Sequence, residues 1–135
     1  METSTVPTNR SNRLRQVLTL NAATSGASGL LAAFAPATVA NLLGLEGSNS
    51  DLIIRVIGLG LIGFALEVAI TARRASDRAL PRWAGMISGA DVAWVVATLV
   101  VVATIDLSAV GISLALAVGA GVGCLAYLQL RLRRA

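Results

Sequence analysis

Of the chain's 135 residues, 56% are apolar and only 13% charged, about half the roughly 25% charge of soluble domains, and so small a domain cannot hide that excess in a core. The net charge of +4 does not mark a nucleic-acid partner, because ten of the eleven arginines fall in three clusters beside apolar runs, with no basic face interleaved by aromatics. Histidine is absent and Cys124 stands alone, which removes the usual general base and commonest metal ligand and any intramolecular disulfide.

In chain order, residues 1–13 (METSTVPTNRSNR) are polar and aperiodic, and predict a disordered basic cytoplasmic tail. Residues 14–35 form the first membrane span: 22 residues reach about 33 Å at 1.5 Å per residue, enough to cross. Ala33-Phe34-Ala35 imitates a signal-peptide cleavage site, but a following proline generally blocks processing, so Pro36 is read as ending the span and opening a short helix over 36–43 as its N1 residue. Gly44 closes that helix, which is too short to span and is placed at the interface. Further spans are predicted over about 52–72, 83–104 and 107–130, within a bundle occupying 14–131, and 132–135 form a second basic cytoplasmic tail.

The arginines orient this chain. Arg10, Arg13 and Arg15 precede the first span. Arg73, Arg74, Arg78 and Arg82 separate the second from the third, and Arg131, Arg133 and Arg134 follow the fourth. All three clusters fall on one side of a four-span topology, which the positive-inside rule makes cytoplasmic. The fold class is therefore an all-α membrane protein, a four-helix transmembrane bundle of a bacterial inner membrane with both termini cytoplasmic and an interfacial helix after the first span.

Helices in lipid associate through close packing and interhelical hydrogen bonds. Small residues recur at Ser25, Gly29 and Ala33; at Gly60 and Gly63; at Gly85, Gly89, Ala93 and Ala97; and at Ala115, Gly119 and Gly123. They predict packing within the bundle; the alternative is that one such face makes a homodimer or seats against a larger membrane complex.

Two acids interrupt the spans. Gly60 and Arg74 lie within about 20° of Glu67, and Gly63 and Thr71 within about 40°, so Glu67 is expected to point into the bundle. Asp91 has Thr98 about 20° away, with Ser88 and Trp94 flanking it at about 60°. The first helix brings Asn21 and Ser25, the fourth Tyr127. All lie in the cytoplasmic half, Glu67 about 9 Å inside Arg73 and Asp91 about 14 Å inside Arg82. One shared pocket is expected from Asn21, Ser25, Glu67, Ser88, Asp91, Trp94 and Tyr127. Two carboxylates in one such site could hold a proton, bind a cationic amphiphile or cap a ligand's polar end. The structural alternatives are that Glu67 pairs with Arg74 or Arg15, that Asp91 locks the bundle through Asn21 and Ser88, and that Tyr127 belongs to the interfacial belt.

The stretches LRQVLTLNAATSGASGLL, IIRVIGLGLIGFALEVAI and GADVAWVV together resemble DoxX-like bacterial membrane proteins, compact four-helix bundles. The resemblance implies a link to quinone or thiol redox systems. No Ser-His-Asp set, Cys-His set, phosphate loop or metal-ligand cluster is present. No catalytic residue and no metal are assigned, and an enzyme would have to use Asp91 or Glu67 as its acid or base. The leading reading is a protein that holds a quinone-like or lipid-like amphiphile, or a proton, in an acidic pocket within the bilayer. The alternative is a non-catalytic accessory subunit.

Overall fold

The computed structural model describes residues 5–134. They form five helices: α1 (Thr5–Phe34), α2 (Pro36–Leu43), α3 (Ser50–Arg74), α4 (Leu80–Thr104) and α5 (Ala109–Arg134). All but α2 are long and apolar enough to cross a membrane. Leu20, Leu31, Ile53, Leu66, Val96 and Leu99 are exposed on their outer surfaces, the inverse of a soluble helix face and suited to hydrocarbon.

The bundle consists of two helix pairs. α1 packs along α3 and α4 along α5, whereas α3 and α4 scarcely touch. The α1–α3 seam depends on two glycines. A Cβ at Gly58 would lie 2.5 Å from Ala33 N, and one at Gly29 would lie 2.8 Å from Gly58 O, so the backbones approach to a distance that no larger residue permits. Along the seam toward the arginine end, Leu14, Leu18, Ala22, Val68 and Ala72 of this pair meet Leu80, Ala84 and Ile87 of α4 in the main apolar core.

The break between α1 and α2 falls as the sequence implies. Ala35 leaves helical geometry at φ −129°, ψ 53°, and Pro36 opens α2. Gly44 then takes φ 73°, a left-handed conformation that favours glycine. Ser108 joins this end to α5: its hydroxyl donates to Leu42 O at 2.9 Å and accepts from Gly111 N–H at 2.9 Å, the second bond being an N-cap.

At the other end, all three arginine clusters come together, and α1 supplies the clamps. Arg15 donates to the carbonyls of Ala72 (2.7 Å) and Ala75 (2.6 Å) and pairs with Asp77 at 2.9 Å. Arg10 donates to Leu132 O at 2.7 Å and Arg133 O at 3.2 Å. Carbonyls at a helix C-terminus lack intrahelical partners and carry negative partial charge, so each guanidinium serves as a cap, Arg15 for α3 and Arg10 for α5.

These clamps account for two departures from the sequence reading. Residues 5–13, expected in a disordered tail, continue α1, and 132–134 continue α5. Anchoring Arg10 to α5 holds both ends in register. Residues 1–4 and Ala135 lie outside the described residues.

Candidate functional site

One polar cluster crosses the interface between the two helix pairs. α1 presents Asn21 and Ser25, α4 Ser88 and Asp91, and α5 Gln129, all of them buried. Asn21 Nδ2 donates to Asp91 Oδ2 at 2.7 Å, and Gln129 Nε2 reaches the same oxygen at 3.4 Å, the long end of hydrogen-bonding range. Ser25 Oγ donates to Asn21 Oδ1 at 3.2 Å, fixing which way that amide faces. The single proton on Ser88 Oγ is shared between Ala84 O at 2.7 Å and Gln129 Oε1 at 3.0 Å.

Helix rotation explains the grouping. On α4 the buried residues Ala84, Ile87, Ser88 and Asp91 form one stripe. On α5 the stripe runs Gly119, Val122, Ala126 and Gln129. Asp91 thus sits where α1, α4 and α5 converge.

The carboxylate is only half used by these contacts. Among the described residues no donor reaches Asp91 Oδ1, yet no enclosed side-chain oxygen or nitrogen lacks a partner. Oδ1 is therefore accessible, and the adjoining space is a cavity of about 370 Å³ that Asp91 itself lines. All four long helices contribute to it: Thr24, Ser25 and Ser28 from α1, Gly60 and Phe64 from α3, Trp94 from α4 and Val122 from α5 among others. Its walls are mainly apolar, with Asp91 the one charged group among them. The described residues contain a single ion pair, Arg15–Asp77, so no arginine neutralises Asp91.

Asn21, Ser25, Ser88 and Asp91 are brought together as expected; Trp94 joins Ser25 and Asp91 in the cavity wall, while Asn21 and Ser88 lie behind it as fully buried supports. Two expected neighbours are elsewhere. Glu67 is exposed on α3, absent from the cavity lining and unpaired with any arginine among the described residues. The reason is the glycine face that α1 chose. α3 approaches α1 through Gly58, which lies nine residues and about 180° from Glu67, whereas on Glu67's side Gly60 borders only the open cavity and a Cβ at Gly60 or Gly63 would meet nothing within 4 Å. Tyr127 is 59% exposed, with Arg131 donating to its hydroxyl at 3.4 Å. The buried polar group of α5 is instead Gln129, about 160° around the helix.

The small-residue stripes divide similarly. Ser25, Gly29 and Ala33 pack inside, and Gly119 and Gly123 face Thr98 and Val95 of α4. On α4, by contrast, Gly89, Ala93 and Ala97 are exposed, because the face opposite them carries Asp91.

No family model, curated protein or solved structure matches the chain, so no relative contributes to the reading of this site or carries the DoxX-like resemblance.

Proposed function

We propose that the protein binds a small amphiphile in the cavity between its helix pairs, with Asp91 holding the polar head and Trp94, Phe64 and Val122 contacting the apolar body. The observation that supports this is the accessible Oδ1 of an otherwise buried, hydrogen-bonded carboxylate. A carboxylate only accepts hydrogen bonds, so the matching head donates one: a quinol or alcohol hydroxyl, or an ammonium, which Trp94 also favours through its ring face. An oxidised quinone, whose carbonyls only accept, requires a proton on Asp91 first, so proton and ligand binding are alternative uses of one atom. The sparse contact between α3 and α4 suits lateral access from lipid. By the positive-inside rule the arginine end is cytoplasmic, and a reporter fused after residue 135 should be active only in the cytoplasm.

Native mass spectrometry of gently extracted protein tests the binding. Wild type should carry a small-molecule adduct whose occupancy falls in Asp91→Asn and in Trp94→Ala. A bare wild type, or an adduct that both variants retain, overturns the proposal.

The exposed Gly89, Ala93 and Ala97 on α4 favour a second reading, a non-catalytic accessory subunit seated on a larger membrane complex through that face. On native gels, Gly89→Leu should then release the protein from the complex while leaving the adduct in place.

A further inference from the structure

At the arginine end, α4 and α5 flank a shallow, open recess of about 520 Å³, lined by Pro81, Arg82, Gly85, Met86, Arg133 and Arg134. We infer that it binds the phosphate of an anionic phospholipid, independently of the Asp91 cavity.

Among the described residues, three guanidiniums and no carboxylate line the recess, and the one ion pair lies elsewhere, at Asp77. Arginines left without an acid present fork-shaped donors that match phosphate oxygens. Two features separate this recess from a merely basic surface. Gly85 lacks a side chain where the Arg133 guanidinium lies, so a larger residue there would displace that guanidinium from the recess. The backbone of Arg133 is also anchored, because its carbonyl accepts from Arg10 at 3.2 Å.

The surroundings select a lipid over free phosphate. Met86 is 59% exposed and Trp83 40% exposed, on the first turns of a helix that runs on into the span. Together they give an acyl chain an apolar track leading away from the guanidiniums, and Trp83 occupies the headgroup level where tryptophans concentrate. Basic pockets between spans are a recurrent form of lipid headgroup site.

The test is native mass spectrometry of the whole chain after reconstitution in equal phosphatidylglycerol and phosphatidylcholine. Wild type should retain phosphatidylglycerol preferentially. Arg82→Gln and Arg134→Gln should each lower that preference by up to about fivefold, the equivalent of a surface arginine's pull on anionic lipid. Gly85→Leu, with every arginine intact, should lower it as well, whereas the charge-matched controls Arg13→Gln and Arg73→Gln, each made singly, should not. Equal retention of the two lipids overturns the inference. Wild-type preference in Gly85→Leu does so too, reducing the effect to general charge. Displacement of the lipid by millimolar inorganic phosphate would reassign the recess to free phosphate.

Discussion

The packing face of α3 decides where Glu67 points, and a pair of glycine substitutions tests it. In Gly58→Ala the new methyl would lie 2.5 Å from Ala33 N, and ordinary contact begins near 3.4 Å, so the α1 and α3 backbones must part by about 0.9 Å. A gap of that size forfeits roughly a quarter to a half of the dispersion attraction across the seam, and overpacking of this kind costs about 1–3 kcal/mol. Alanine recovers about 0.5–1 kcal/mol through its better helix propensity, leaving a net loss of up to about 2.5 kcal/mol. Gly63→Ala meets nothing within 4 Å, so only the propensity gain remains, and stability should hold or rise by up to about 1 kcal/mol. Equilibrium unfolding in mixed dodecyl maltoside and SDS micelles, followed by far-ultraviolet circular dichroism, measures both against wild type. If Gly63→Ala loses as much as Gly58→Ala, the assigned seam is wrong and Glu67 faces the bundle after all.

In the same assay Asp91→Ala should lose about 1–2 kcal/mol, because Asn21 and Gln129 lose their acceptor and interhelical bonds in membranes average about 0.6 kcal/mol with a maximum near 1.7. Asp91→Asn, which keeps an acceptor oxygen, should lose less than half of that, and equal losses would show that charge rather than hydrogen bonding secures the junction. Arg15→Ala removes the donors to Ala72 O and Ala75 O and should cost about 1–2 kcal/mol. Asp77→Asn should cost under about 0.5 kcal/mol, since Asp77 is 67% exposed; a larger loss would make the ion pair, not the cap, the stabilising contact. Glu67→Gln should leave both stability and ligand occupancy unchanged within about 0.5 kcal/mol, and loss of the adduct in that variant would return Glu67 to the site.

Sequence legibility followed the strength of the physical constraint. The spans, the α1–α2 break at Pro36 and the gathering of the arginines at one end were readable because lipid enforces long apolar helices and charge asymmetry. Asn21, Ser25, Ser88 and Asp91 were readable because each is a short polar side chain within a span. Gln129 was overlooked in favour of the more conspicuous Tyr127, although a signal existed. Ala115 in the stripe lies about 40° from Gln129, but Gly123 lies about 40° from Tyr127 and Gly119 about 80° from both, so only the Ala115 end of the stripe pointed to the amide. For α3 the sequence offered glycines on two faces, and nothing local distinguishes Gly58 from Gly60 and Gly63. Only the partner helix selects between them.

The contrast between the two acids follows from depth. Glu67 lies about 9 Å inside Arg73, nearer a span's end than Asp91, and is exposed on α3 without an arginine partner among the described residues. Its position therefore puts less constraint on helix rotation than a deeper acid would. Asp91 is shorter and deeper, about 14 Å inside Arg82. An unsatisfied aspartate at mid-span costs about 2.5–3.5 kcal/mol on insertion scales, several times the roughly 0.6 kcal/mol of an average interhelical bond. Turning Asp91 inward thus outweighs turning Gly89, Ala93 and Ala97 inward, since the two sets occupy opposite faces of α4 and cannot both be buried. The small residues are left facing outward and the carboxylate meets Asn21 and Gln129. Those two amides satisfy Oδ2 alone, and the rotation that buries the charge also sets Asp91 in the wall of the cavity between the pairs.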